Sequence, residues 1–245
     1  MDGKWITDLC PTTPLTEAAR LVLSIRLDVV QNYLPLAIRE HDNDVEHVHQ
    51  LRVAARRASA ALELFSPCIP TSKARKAKKV LRKIRRAAGE ARDRDVFFLH
   101  LLDRRGKVDQ SEHLPGIDYL LGLTRAQREQ AQSPLLKLEA KTIQRFGKAQ
   151  KKLLDSIRSS EAPLEAIARP QIERVLRDLQ NALKEDLSDY DNLHGVRIIG
   201  KRLRYTMEVF VSCFEESFKN ATYPKVEKVQ KILGNANDSV GALEH

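Results

Sequence analysis

Two segments of this chain, HQLRVAARRASAALELF at 49–65 and HGVRIIGKRLRYTMEVF at 194–210, are copies of one unit. His49 and His194 stand 145 positions apart. The offset holds without a gap through Glu40/Glu185, Asp44/Asp189, Arg52/Arg197, Arg57/Arg202, Glu63/Glu208, Phe65/Phe210 and Cys68/Cys213. It continues through Ser72/Ser217, Lys83/Lys228, Gly89/Gly234, Ala91/Ala236 and Asp93/Asp238. Thirteen of the 54 positions from 40 to 93 are therefore identical to their mates, where unrelated sequence of ordinary composition gives roughly three. A chain that spells one supersecondary unit twice has to bury the same amphipathic face twice. The 245 residues divide into repeat units at about 14–160 and 161–245 of a single domain.

The unit is helical. Charged residues make up 31% of the chain, Gly and Pro number ten each, and no segment alternates with the period of two that a strand requires. The fold class is all-α. A first helix is expected over 15–39, bent or ended at Pro35, then the repeated helix over 45–65, closed by Ser66-Pro67 and Pro70. Asp44 and Asp189 stand where N-caps belong, and the acids around them suit the positive end of a helix. A third helix is expected over 73–105, a loop over 106–117, and a helix from 117 to 159 bent at Ser133-Pro134. The second unit reads as helices at 164–187, 190–215 and 222–241. The fourth helix of the first unit starts near 117, and its copy would fall near 262, past the last residue. The second bundle therefore lacks a helix, shares one, or was cut short; the closing Leu243-Glu244-His245 is also how many expression tags begin.

The repeated helix carries the chemistry. At 100° per residue, His49, Arg52, Arg56, Ser59 and Glu63 fall in one stripe about 80° wide. The second copy places His194, Arg197, Lys201, Arg204 and Glu208 in the same stripe. Leu51, Ala54, Ala55, Ala58, Leu62 and Phe65 form the opposing core face, and small apolar residues flank the stripe on its other side, which sets it along a cleft. Solvated helix faces mix signs to gain i,i+4 pairs. Here no acid intervenes before Glu63 or Glu208. Arginine grips phosphate oxygens bidentately, and histidine donates to an oxyanion most strongly when protonated. The candidate anion contacts are His49, Arg52, Arg56, Arg57, His194, Arg197, Lys201, Arg202 and Arg204, with Lys83 and Lys228 extending the track. Arg57 and Arg202 lie off the stripe and also suit structural anchoring.

Other chemistries lack their residues. His41, His47 and His49 do not converge on a helix, and only His49 has a repeat mate, so no metal site is expected. No Ser or Cys is paired with a base at recognisable spacing, so neither catalytic residues nor a cofactor are expected. The net charge is +9, and 73–86 holds nine cations without an acid, which favours anionic partners, with weak non-specific nucleic-acid contact as an accessory activity. Aromatics are too sparse, at 5%, to stack on single strands, and no duplex-reading motif is present. The apolar face of 73–86 is rich in alanine and suits helix packing better than a membrane surface. Three cysteines give no disulfide framework and fit a reducing cytoplasm. No signal peptide and no run of 18 apolar residues appear, so no membrane span is expected.

Four segments in order carry a resemblance. His49-x-x-Arg52-x-x-x-Arg56-Arg57 with Glu63-Leu64-Phe65 is the first, and Gly89-Glu90-Ala91-Arg92-Asp93-Arg94-Asp95-Val96 the second. The third is His194-x-x-Arg197-Ile198-x-x-Lys201-Arg202-Leu203-Arg204-Tyr205-x-x-Glu208, and the fourth Gln230-Lys231-Ile232-Leu233-Gly234-x-x-Asn237-Asp238. Together they resemble CHAD domains, the conserved-histidine α-helical domains. The resemblance implies two pseudo-symmetric antiparallel bundles of the four-helix type, related by a pseudo-twofold and enclosing a basic central cleft where the two stripes meet. It also implies binding of inorganic polyphosphate without catalysis, and association with polyphosphate granules in the cytoplasm. A triphosphate-tunnel domain often precedes the family's helices; here only about 14 residues precede the first helix. The rival readings are a nucleic-acid-binding helical protein and a histidine-dependent metal phosphohydrolase.

Overall fold

The computed structural model describes residues 4–107 and 113–243; for 139–141 and 235–243 it describes the backbone alone. Every element in it is helical, and the only β pairing among the described residues is an isolated bridge between Pro14 and Pro163. Helix α1 spans Leu15–Arg39, α2 Glu46–Leu64, α3 Thr71–Ala87 and α4 Gly89–Lys107. They are followed by α5 at Leu114–Ala131, the short α6 at Ser133–Leu136 and α7 at Glu139–Leu154. Helices α8 at Glu165–Ala182, α9 at Tyr190–Val209 and α10 at Tyr223–Leu243 complete the chain.

Asp189 is the N-cap of α9, while Asp44 stands two residues ahead of α2 and bonds its first N–H. Asp189 Oδ1 accepts the Asn192 N–H at 3.0 Å, and Asp44 Oδ1 accepts the Glu46 N–H at 2.8 Å. Pro35 lies inside α1 without ending it, and α2 stops one residue before Phe65. Length and apolar composition would let α1 cross a membrane. Its apolar residues Ala18, Val22, Leu23, Leu27, Val30, Leu34 and Ile38 are buried within the protein, as in a core helix.

Three expectations need correction. The third helix is two helices, α3 and α4, parted at Ala88. Residues 114–117 are helical rather than loop, with Pro115 in the first turn of α5, where its missing N–H costs nothing; residues 108–112 of the expected loop lie outside the described residues. The helix expected to reach 159 ends at Leu154 after an interruption at 137–138. Its last residues are used elsewhere: the Arg158 N–H donates to the Cys68 carbonyl at 2.8 Å, and the Arg158 carbonyl accepts the Thr16 hydroxyl at 3.0 Å.

Two compact units result. One holds residues 4–25, 60–74 and 154–243, and the other 26–59 and 75–153. In the first, α8 packs on α9 and α9 on α10; in the second, α4 packs on α5. The cations of the first stripe lie in the second unit and the second stripe in the first, Glu63 falling in the first unit.

Candidate anion-binding site

Arg52 is the centre of the first stripe. It projects from α2 so that Nη1 donates to the Arg85 carbonyl in the last turn of α3 at 3.3 Å. A cation suits that negative helix end. A Cβ on Gly89 would stand 3.3 Å from the same Nη1, so the junction of α3 and α4 leaves room for the guanidinium. Burial, then the neighbouring Arg56, Arg85 and Arg92, push Arg52 down to about 10; Asp93 opposes them. The group remains cationic at neutral pH, in an uncomfortable place. Nε of Arg52 and Nη1 of Arg92 are both buried without a hydrogen-bond acceptor. Buried donors of this kind call for a partner.

His49 stands one turn before Arg52 and 3.9 Å from Glu46. Burial holds its imidazole below its ordinary value, assisted by Arg92, Arg56 and Arg52, against Glu46. The imidazole therefore favours its neutral form. Lys83 is exposed on α3, as are Arg75, Lys76, Lys79, Arg82, Arg85 and Arg86. Arg56 and Arg57 are half-buried on α2.

The second stripe is built differently. Arg204 lies 3.9 Å from Glu208 on its own helix and 3.9 Å from Glu227 on α10. Glu208 is fully buried and accepts the Tyr223 hydroxyl at 2.8 Å. Its repeat mate Glu63 is exposed. Arg202 pairs with Asp178 of α8, which fits the anchoring alternative raised by its angle off the stripe. His194 rests against the Tyr190 ring, with 5.9 Å between centroids. Arg197 and Lys201 are half-buried on α9, and Lys228 is exposed on α10. The helices approach closely at Gly200, where a Cβ would lie 2.0 Å from the Gln230 Nε2.

Sequence reasoning missed Arg92 and Arg85 as members of the site. The repeat was the filter, and their mates are Asn237 and Gln230 rather than cations. The side chains of Asn237 and Asp238 lie outside the described residues. Among the described residues no three His, Cys, Asp or Glu side chains converge as metal ligands. A cavity of 320 Å³ lies elsewhere, lined by Glu165, Ala168, Arg169, Pro170, Cys213 and Phe214, and no stripe residue reaches it.

No curated protein matches the chain. Solved structures share the fold. The crystal structure of the CHAD domain from the plant Ricinus communis matches with a TM-score of 0.73 at 24% identity, over 96% of this chain and 78% of that one. PptA from Streptomyces chartreusis matches with a TM-score of 0.65 at 18% identity, over 95% of this chain and 85% of its own. The CHAD domain family model matches residues 22–245, nine-tenths of the sequence that carries the repeat and its two cationic stripes. The chain belongs to the CHAD domain family.

Proposed function

We propose that this protein binds inorganic polyphosphate without turning it over, each stripe taking a run of phosphates. The observation that carries the reading is the crowding of Arg52 by Arg56, Arg85 and Arg92, with buried N–H groups on Arg52 and Arg92 lacking an acceptor. Cations held this close raise one another's energy, and a phosphate run relieves all of them at once. His49 gains a proton as the anion arrives and adds a charged donor. Family membership supports the same ligand. A chain long enough to engage both stripes gains from the second contact being intramolecular, so short oligophosphates bind more weakly. Neutralised phosphates release counterions, so affinity falls steeply with salt. In the cell this ligand would draw the protein to cytoplasmic polyphosphate granules.

The exposed cations of α3 favour weak, sequence-independent contact with nucleic acid as a side activity. The deciding experiment measures affinity for long-chain polyphosphate at physiological salt, with duplex DNA and short oligophosphates as competitors, in the parent and in Arg52→Ala/Arg197→Ala. The double variant is expected to lose at least about tenfold, roughly 1.4 kcal/mol, without unfolding. Retained affinity would overturn the site, and equal competition by DNA would overturn the ligand.

A further inference from the structure

Arg204 is the last cation of the second stripe, and two carboxylates crowd it. Glu208 Oε1 stands 3.9 Å from its Nε, and Glu227 Oε1 stands 3.9 Å from its Nη1. Both separations exceed hydrogen-bond reach, and the buried Nε has no acceptor. Each of the two oxygens is bonded to another group instead. Tyr223 donates its hydroxyl to Glu208 Oε1 at 2.8 Å, and Lys4 donates from Nζ to Glu227 Oε1 at 3.1 Å. In the first copy the mates of Tyr223 and Glu227 at the 145-residue offset are cations, Lys78 and Arg82. The acid on α10 is thus peculiar to the second copy, and with it the need to keep that acid off the stripe.

Lys4 lies outside the repeat, and the family match begins only at residue 22. More than its ion pair places it: Nζ lies over the Tyr223 ring at 4.8 Å, and Ile6, two residues on, is buried. A guanidinium closed on Glu227 would have to break that pair before gripping a phosphate, whereas one whose neighbouring acids are already bonded keeps its donors for the ligand. Resting on the reading that this stripe takes phosphates, we propose that Lys4 is a positioning residue, which holds the Glu227 carboxylate and so leaves Arg204 open to the anion. The N-terminal segment thereby sets the strength of the second stripe.

Affinity for long-chain polyphosphate at physiological salt tests this in a cycle of Lys4→Met, Glu227→Gln and the two together, each checked for an unchanged helical circular-dichroism spectrum. Methionine keeps the aliphatic stem against the ring. Lys4→Met should weaken binding about threefold, the scale of one partly exposed ion pair, and Lys4→Arg should bind like the parent. Glu227→Gln should bind at least as tightly as the parent. Adding Lys4→Met to it should change nothing, since no carboxylate is left to close on Arg204. Lys4→Met should be equally silent in an Arg204→Gln background, which is itself weaker than the parent. A Lys4→Met loss that persists without Glu227 or without Arg204 overturns the proposal, because Lys4 then touches the ligand or serves only as scaffold. So does a Lys4→Met variant that binds like the parent, a Glu227→Gln variant that binds more weakly, or an Arg204→Gln variant with full affinity. These failures leave the stripes standing as long as Arg52→Ala/Arg197→Ala loses affinity; if that variant also binds like the parent, the reading of the stripes falls too.

Discussion

Replacing Arg52 with methionine separates a binding residue from a structural one. The fall of the Arg52 pKa from its ordinary value to about 10 corresponds to about 3 kcal/mol against the charged form, at about 1.4 kcal/mol per pH decade. Solvent reaches part of the guanidinium, and screening reduces this to about 1–2 kcal/mol. Methionine keeps most of the aliphatic stem and its packing. The bond to the Arg85 carbonyl is lost, at about 1 kcal/mol. The ligand-free variant should therefore equal the parent or exceed it by up to about 1 kcal/mol, moving Tm by no more than about 4 °C upward. Polyphosphate tells the opposite story. At a concentration 100 times the parent's Kd, the ligand stabilises the parent by about 2.7 kcal/mol and a tenfold weaker variant by only about 1.4 kcal/mol. Thermal unfolding with and without long-chain polyphosphate reads both quantities in one assay. A ligand-free Tm about 5 °C or more below the parent's would mark Arg52 as ordinary scaffold and refute the argument.

Two further predictions concern the histidine and the buried tyrosine. Since the folded pKa of His49 lies below the ordinary 6.5, the unfolded chain binds the proton more readily. The stability this group contributes is complete above pH 6.5 and is lost as pH falls toward the folded value, while polyphosphate affinity rises over the same window as the anion draws in the proton. Affinity measured between pH 7.5 and 6 should show that rise in the parent and lose most of it in His49→Gln. Tyr223→Phe removes the bond to the buried Glu208 carboxylate and should cost about 2 kcal/mol, seen as a Tm lower by about 4–8 °C.

Local signals were legible in the sequence and partners were not. Helix α1 and the first copy of the repeated helix emerge from periodicity and prolines within a residue or two, the second copy stops at Val209 rather than 215, and Asp189 caps where an aspartate before an apolar run should. The break at Ala88 has no local signature beyond Gly89; its use appears only once the Arg52 guanidinium, 37 residues earlier in the chain, rests against it. The same holds for Arg202 and Arg204. Helical angle identified Arg202 as off the stripe, but Asp178 and Glu227, which engage the two arginines, belong to other helices. The repeat found positions that matter twice and overlooked Arg92, which occurs once.

The chain has one tryptophan, and its position makes it a reporter. Trp5 lies against the Tyr223 ring, 4.5 Å between centroids, with Lys4 and Lys219 over its faces at 5.6 and 5.3 Å. The residue after it is tied in place as well: the Ile6 N–H donates to the Glu208 carbonyl at 3.3 Å. Indole emission therefore responds to the Glu208 end of α9 and is silent about Arg52 and His49. An intrinsic-fluorescence melt follows one compact unit alone, whereas circular dichroism follows every helix, and comparing the two curves reads the cooperativity between the halves of the repeat without any label.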